Sequence, residues 1–366
     1  MRIVISAGDP SGDIRSGELL EELTKMTPLE VSGLGGRNIQ KAGGKIIFSL
    51  YDYSVMGFAE VISSLAKFRS LRSRMKSHIL AVDPDIVLLV DYPGFNIPLA
   101  IWAKKRGYRV VYYISPQLWA WGRGRVRKIR KSVDLMITLF KFEVDFYRRY
   151  GVRALCSGHP LADSIPIHFE SEPGRKIAFL PGSRRQEISL LLKPMMDSFI
   201  ILRDSGVVSN ATVAVSSDVP SDLYESAGSI KGVELVYSVG DALENASAAV
   251  VCSGTATLET AMWGIPFIIT YRTSPLTYFL ARMLVRGVSK IGMANLVAGS
   301  EIAAELIQKE VYPENIVRYV KPLLEDTEAR RRSLSGMKLV REALGSEGSS
   351  ERAARYILEE TSDEIS

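Results

Sequence analysis

Short apolar runs rich in β-branched residues alternate with helix-patterned segments along this chain, and no other feature limits its fold as much. The runs are Arg2 to Ile5, Glu30 to Leu34, Ile86 to Val90 and Arg109 to Ile114. Beyond Pro160 come Ile177 to Leu180, Thr212 to Val215, Val233 to Tyr237, Ala248 to Cys252 and Phe267 to Tyr271. Near-continuous apolar strands separated by helices read as parallel sheets covered on both faces, an α/β fold. In such sheets ligands gather beyond the carboxyl ends of the strands, where helix N-termini offer unpaired amides.

A chain of 366 residues is too long for one ordinary core and fits two domains of about 150 to 200 residues with a cleft between them. The polar stretch "PIHFESEPGRK", Pro166 to Lys176, interrupts the pattern and a new strand follows it. The expected domains are therefore 1–165 and 176–340. Residues 341–366 form a helix and tail, in which Ala353, Ala354, Ile357 and Leu358 supply a docking face.

With 46% hydrophobic and 24% charged residues, the chain is globular rather than disordered. No apolar run reaches the roughly 18 residues of a spanning helix, and the first strand begins without a basic and then apolar leader, so a cytoplasmic location is expected. Cys156 and Cys252 lie far apart, and no Cys or His cluster has metal-ligand spacing, so neither a disulfide framework nor a metal is expected. His78, His159 and His168 fit no Ser/His/Asp or Cys/His arrangement. The excess positive charge is concentrated in "WAWGRGRVRKIRK", where Trp119 and Trp121 precede Arg123, Arg125, Arg127, Lys128, Arg130 and Lys131. That stretch suits an anionic partner.

Four strand-to-helix turns carry candidate chemistry. "VVCSGTATLE" offers Ser253, Gly254 and Thr255 to a phosphate, with Glu259 one turn into the helix as an acceptor for ribose hydroxyls; an ordinary N-capped helix reads the same way. "FLPGSRRQEI" repeats the design with Gly182 and Ser183 and adds Arg184 and Arg185. Arginines at a helix start oppose the dipole, which points to an expected anion. "IVLLVDYPGFN" ends a buried strand in Asp91, a suitable general base or a simple cap of the turn before Pro93. "SAGDPSGD" places Gly8, Asp9, Ser11, Gly12 and Asp13 in succession, more small and acidic residues than a turn needs, with Asp9 and Asp13 as rival carboxylates.

These motifs, with "GLGG", "VMGFAEV", "YYISPQLWAWGRGRVRKIRK", "SGHPLAD", "YRTSPLTYFLARMLV" and "ANLVAGSEIAAELIQ", together resemble the lipid-A-disaccharide synthases, inverting glycosyltransferases that join two acylated glucosamine units. The resemblance implies a GT-B fold, two Rossmann-like domains facing a central cleft. The first would bind the acceptor and the second the UDP-sugar donor. The implied substrates are UDP-2,3-diacylglucosamine and 2,3-diacylglucosamine 1-phosphate, without a metal or cofactor. On this reading Asp91 deprotonates the acceptor hydroxyl, and Arg184 with the helix start at Ser253 to Thr257 stabilises the departing diphosphate. Glu259 and Asn295 seat the nucleotide. Gly8, Ser11 and Gly12 admit a sugar whose hydroxyls bond Asp9 or Asp13, and Asn96, Trp119 and Trp121 complete the acceptor side.

The chain departs from the family pattern at Asp9, where Glu is common, at Gly94, where many relatives carry a second Asp, and at Ala294 and Ser300. Acylated substrates imply peripheral contact with the anionic inner face of the cytoplasmic membrane. Trp119, Trp121 and the basic residues could make it, and so could Leu276, Tyr278, Phe279, Leu280, Met283 and Leu284, which also read as a buried amphipathic helix. The competing readings are a UDP-sugar transferase or epimerase of other specificity and a nucleic-acid-binding module, the latter disfavoured by the glycine- and hydroxyl-rich strand ends. Oligomeric state is left open.

Overall fold

The computed structural model describes the chain except for residues 53–60, 120–121, 166–170, 218, 275–277, 279–289 and 363–366; the side chains of 61–66, 123 and 362 are also outside the description. The chain forms two compact units, Met1–Asp163 with Gly345–Ser366, and Ser164–Leu344.

The first unit contains strands β1 (Arg2–Ala7), β2 (Glu30–Gly35), β3 (Lys45–Ser49), β4 (Ile86–Val90), β5 (Val110–Tyr113), β6 (Leu135–Thr138) and β7 (Ala154–Cys156). They are joined by helices α1 (Pro10–Met26), α2 (Arg37–Lys41), α3 (Val61–Val82), α4 (Pro93–Lys104), α5 (Val126–Arg130) and α6 (Lys141–Arg149), and α7 (Leu161–Ser164) runs into the break between units. The sheet is parallel, in the order β3-β2-β1-β4-β5-β6-β7. Every residue of β4 is buried, as expected for a central strand covered on both faces. One face packs Val4, Val87 and Leu89 against Leu71, Met75 and Leu99 of α3 and α4. The other packs Ile3, Ile5 and Leu88 with Leu19, Leu20 and Leu23 of α1.

The second unit contains β8 (Lys176–Leu180), β9 (Asn210–Ala214), β10 (Val233–Val236), β11 (Ala248–Cys252), β12 (Phe267–Tyr271) and β13 (Glu305–Ile307). Its helices are α8 (Arg185–Asp204), α9 (Glu225–Gly228), α10 (Val239–Leu243), α11 (Ala256–Met262), α12 (Met293–Ala298), α13 (Pro313–Leu324) and α14 (Glu328–Leu344). The sheet is again parallel, in the order β10-β9-β8-β11-β12-β13. Both units are thus Rossmann-like.

The polar stretch 166–176 does not stand between the units throughout. Within it Ser171 and Gly174 bond the carbonyls of Gly264 and Leu324, so this part already belongs to the second unit. The last helix, α15 (Ser349–Ser362), is not a separate appendage. Ala353, Ala354 and Ile357 join the core beside α1, and Asp163 accepts the Gly348 and Ser349 amides at 2.6 and 3.2 Å, fixing the helix start on the first unit.

Candidate active site

In each sheet the strand order reverses once, and that reversal opens a crevice at the carboxyl ends of two neighbouring strands. In the first unit those strands are β1 and β4, which lead into Asp9 and Asp91. In the second they are β8 and β11, which lead into Gly182 and Ser253. The sequence motifs therefore lie where the topology makes room for ligands.

Asp91 and Tyr92 follow β4 with φ of 40° and 49°, two successive non-glycine residues in the left-handed region. Such a pair costs of order 1–3 kcal/mol per residue and persists only when neighbours fix it. Here they do. The Asp91 amide donates to the Tyr113 carbonyl at 3.0 Å, and the Asp91 carbonyl accepts from the Tyr112 phenol at 2.6 Å and from Asn96 Nδ2 at 2.8 Å. Asn96 Nδ2 also reaches the carbonyls of Val90 and Ser6, and its Oδ1 accepts from Ser6 Oγ at 2.7 Å. Asn96 is buried and its amide is spent on the turn, so it positions Asp91 instead of meeting a sugar.

Burial, reinforced by the negative charge of Asp9, pushes the Asp91 carboxyl up from 3.8 to about 6. A carboxylate held just below neutrality is mostly ionised at working pH yet basic enough to take a proton, the property a general base requires.

Asp9 caps α1, accepting the Gly12 amide at 2.8 Å, with Pro10 opening the helix. Ser11 is exposed in the first turn. Asp13 faces inward. It is 1% exposed, and its carboxylate accepts the amides of Gly36 and Asn38 at 2.7 and 2.9 Å and Asn38 Nδ2 at 2.8 Å. Asp13 thus holds the start of α2 and is not placed to bond a sugar.

Gly8 is small for an internal reason as well. A Cβ there would lie 2.2 Å from Tyr92 Cδ1, so the space is filled by the chain's own aromatic ring and not left for a sugar.

Trp119 is half-buried, with its Nε1 3.2 Å from Glu143 Oε1 and its ring edge-on to Phe142. Glu143, 3% exposed, is pushed up to about 7 by burial. Trp121 lies outside the described residues, as do Leu276, Phe279, Leu280, Met283 and Leu284 of the second apolar cluster. The basic stretch forms α5, which buries Val126 and Ile129 and exposes Arg127, Lys128 and Arg130, with Lys131 exposed just beyond.

In the second unit a cavity of about 450 Å³ gathers Gly182, Ser183, Arg184, Ser253, Gly254, Thr255 and Glu259 from two stretches of sequence. Gly182 has a φ of 109°. A Cβ on it would meet Glu187 Oε2 at 2.5 Å. Glu187 accepts the Ser183 and Arg184 amides at 3.3 Å each and pairs with Arg184 Nη1 at 3.2 Å. The Arg184 side chain is 82% exposed, so its guanidinium can swing to an incoming anion. Ser253 Oγ donates to the Ile291 carbonyl, and the Thr257 and Leu258 amides at the start of α11 donate to the carbonyls of Gly254 and Thr255 at 3.1 and 2.9 Å.

Thr257 is buried behind this turn and donates to the Gly254 carbonyl at 2.7 Å, so it shapes the loop from within. Asn295 is also buried: it donates to the Ala303 carbonyl and Glu305, and accepts the amides of Ile302 and Ala303. It ties α12 to the segment before β13 and does not line the cavity.

Sequence reasoning missed several residues. Ser216, Ser217, Tyr237, Ser238 and Cys252 line the cavity; Tyr237 is 75% exposed, a flat ring beside the opening. In the first unit it missed Tyr92, Tyr112 and Glu143. The helical pattern of residues 141–149 could have suggested that an acidic residue on the apolar face needs a partner; nothing local marks the others. Among the described residues there is no group of three or more His, Cys, Asp or Glu placed to hold a metal ion, and no helix is long and apolar enough to cross a membrane.

Comparison with known proteins bears on the chemistry. Residues 3–359 match the family model described as lipid-A-disaccharide synthetase. The lipid-A-disaccharide synthase of Geobacter metallireducens is 37% identical over 98% of this chain and 97% of its own length, and that of Coxiella burnetii (strain CbuG_Q212) is 33% identical over 97% of each. Among solved structures, a calicheamicin glycosyltransferase superimposes with a TM-score of 0.64 at 14% identity, covering 98% of this chain and 97% of that one. A UDP-GlcNAc 2-epimerase from Methanocaldococcus jannaschii, solved with UDP-GlcNAc and UDP, gives 0.62 at 13% identity, covering 98% and 100%. At such identities these structures speak to the fold alone, which is GT-B.

Proposed function

Because the chain belongs to the lipid-A-disaccharide synthetase family and is a glycosyltransferase of lipid A biosynthesis, we propose that it transfers 2,3-diacylglucosamine from its UDP ester to the 6-hydroxyl of 2,3-diacylglucosamine 1-phosphate. The products are a β-1,6-linked disaccharide 1-phosphate and UDP. The observation that carries the reading is the Asp91 carboxylate, held by a strained and fully bonded turn at the strand-order reversal and raised to about 6.

In the proposed step Asp91 takes the proton of the acceptor hydroxyl as its oxygen attacks the anomeric carbon from the face opposite UDP. The new C–O bond forms with inversion, the bond to the diphosphate breaks, and UDP leaves with the electron pair. The proton on Asp91 then passes to solvent. Asp9, whose charge already acts on Asp91, keeps that carboxylate basic. Ser11, exposed in the first turn of α1, is available to a sugar hydroxyl.

The second unit would seat the donor. The cavity lined by Gly182 to Arg184 and Ser253 to Thr255 suits a diphosphate, with the Tyr237 ring beside a base and Glu259 toward ribose hydroxyls. Growing charge on the leaving group would draw Arg184 from Glu187, so that the pairing is realised most fully in the transition state. The guanidinium and amides supply the stabilisation, so no metal or cofactor is assigned, and a chelator should leave turnover unchanged.

Substrates carrying acyl chains place the enzyme on a membrane surface. The exposed cations of α5 and Lys131 suit a peripheral contact with an anionic leaflet on the cytoplasmic side. Incubating the purified protein with both substrates and analysing the lipid product by mass spectrometry tests the function. A disaccharide phosphate with stoichiometric UDP is expected; donor hydrolysis or epimerisation without a disaccharide would refute the assignment.

A further inference from the structure

We propose that the apolar hollow beside Tyr92 seats an acyl chain of an anionic acyl-sugar acceptor. The proposal rests on the reading of Asp91 as the acceptor's base and adds where the lipid part of that acceptor lies. The hollow, about 490 Å³, is lined by Phe68, Arg69 and Arg72 of α3 and by Tyr92, Gly94 and Phe95 at the turn into α4. The Phe68 and Tyr92 rings sit 6.2 Å apart and the Tyr92 and Phe95 rings 5.9 Å apart, a continuous aromatic wall.

Two features select the occupant. Each methylene moved from water onto such a wall is stabilised, which favours a linear alkyl chain over a polar ligand. Arg69 and Arg72, one helical turn apart at the same hollow, supply positive charge for a phosphate on the molecule that carries the chain, and no acidic residue stands among the described lining residues. The location fits as well. Tyr92 directly follows Asp91, so a chain resting on its ring belongs to a sugar within reach of the carboxylate.

Gly94 provides a direct test. Among the described residues a Cβ built there meets nothing within 4 Å and its φ is not in the left-handed region, so Gly94→Phe can fill the hollow without displacing the described fold. Binding of 2,3-diacylglucosamine 1-phosphate with long chains, of its dibutyryl analogue and of UDP is measured by calorimetry on the full chain. We expect Gly94→Phe to weaken the long-chain compound at least tenfold while leaving the dibutyryl analogue and UDP unchanged. Arg69→Gln combined with Arg72→Gln should weaken both phosphates.

Long-chain binding that is insensitive to Gly94→Phe, or an equal loss for long and short chains, overturns the proposal. Wild-type protein that binds the long-chain compound in a Gly94→Phe-sensitive manner yet makes no disaccharide would uphold the pocket and remove the assigned reaction. Disaccharide formation with binding insensitive to Gly94→Phe would do the reverse.

Discussion

The Tyr112 phenol donates a 2.6 Å hydrogen bond to the main-chain carbonyl of Asp91. It does not touch the carboxylate. It holds the left-handed turn, shared with Tyr92, that follows β4 and carries the carboxylate. A residue on the neighbouring strand β5 thereby sets the geometry of the proposed base.

Tyr112→Phe keeps the ring and removes only that bond. The expected cost is about 1 kcal/mol of stability, seen in thermal unfolding. Turnover should fall more than this implies, because the base becomes less well held, while UDP affinity stays the same. Unchanged turnover would show that Asn96 alone suffices to fix the turn.

Burial and the Asp9 charge raise Asp91 to about 6, and this predicts a pH profile. The base works ionised, so kcat/KM should rise with pH through about 6 and level off above it. Asp9→Asn should move that inflection to lower pH, since a like charge is removed.

The same shift has a stability consequence. The folded-state value lies above the ordinary 3.8, so the folded chain retains a proton that the unfolded chain releases. The stabilisation from that proton is complete below about 3.8 and lost as pH rises through about 6. At pH 8 Asp91 therefore weakens the fold, and Asp91→Asn should be stabilising there by about 1–2 kcal/mol, with the difference vanishing near pH 4. Asn also accepts the left-handed backbone. Melting curves of both proteins at the two pH values check the sign.

Arg184→Ala should lower kcat by about 10²–10³-fold, equivalent to roughly 2.7–4 kcal/mol, with a small effect on donor binding, if its main partner is the transition state. Arg184→Lys should recover only part, since a fork is replaced by a point charge. Steady-state kinetics with varied donor separates this from a simple rise in KM.

Gly8→Ala places a methyl 2.2 Å from the Tyr92 ring. The ring must move, at a cost of about 1–3 kcal/mol, and the Asp91 turn moves with it. Both melting temperature and turnover should drop together, whereas loss of a sugar contact alone would spare the melting temperature.

The strands that organise the two crevices were legible in the sequence because β1, β4, β8 and β11 are buried on both faces and read as unbroken apolar runs. The edge strands β3, β7 and β13 and the inner strand β6 were not. Leu135–Thr138, Ala154–Cys156 and Glu305–Ile307 have only three or four residues, and Lys45–Ser49 at the sheet margin is only partly buried, so periodicity had too little to act on. Gly182 and Ser253 stood out because a phosphate turn demands small residues there. Ser216 and Tyr237 did not, because only the folded sheet brings the ends of β9 and β10 to the same cavity.

Asp13, Asn96 and Asn295 show the opposite case. Buried polar side chains that complete a turn look, in sequence, like ligand contacts, and only their hydrogen-bond partners reveal that the fold itself uses them.

In the proposed reaction the Asp91 carboxylate removes the acceptor proton. Turnover of Asp91→Asn, measured at saturating donor and acceptor beside its UDP affinity, tests it most directly. A loss of about 10²–10⁴-fold in kcat with UDP affinity unchanged is expected; a kcat within a few-fold of the wild type would remove Asp91 from the role of base.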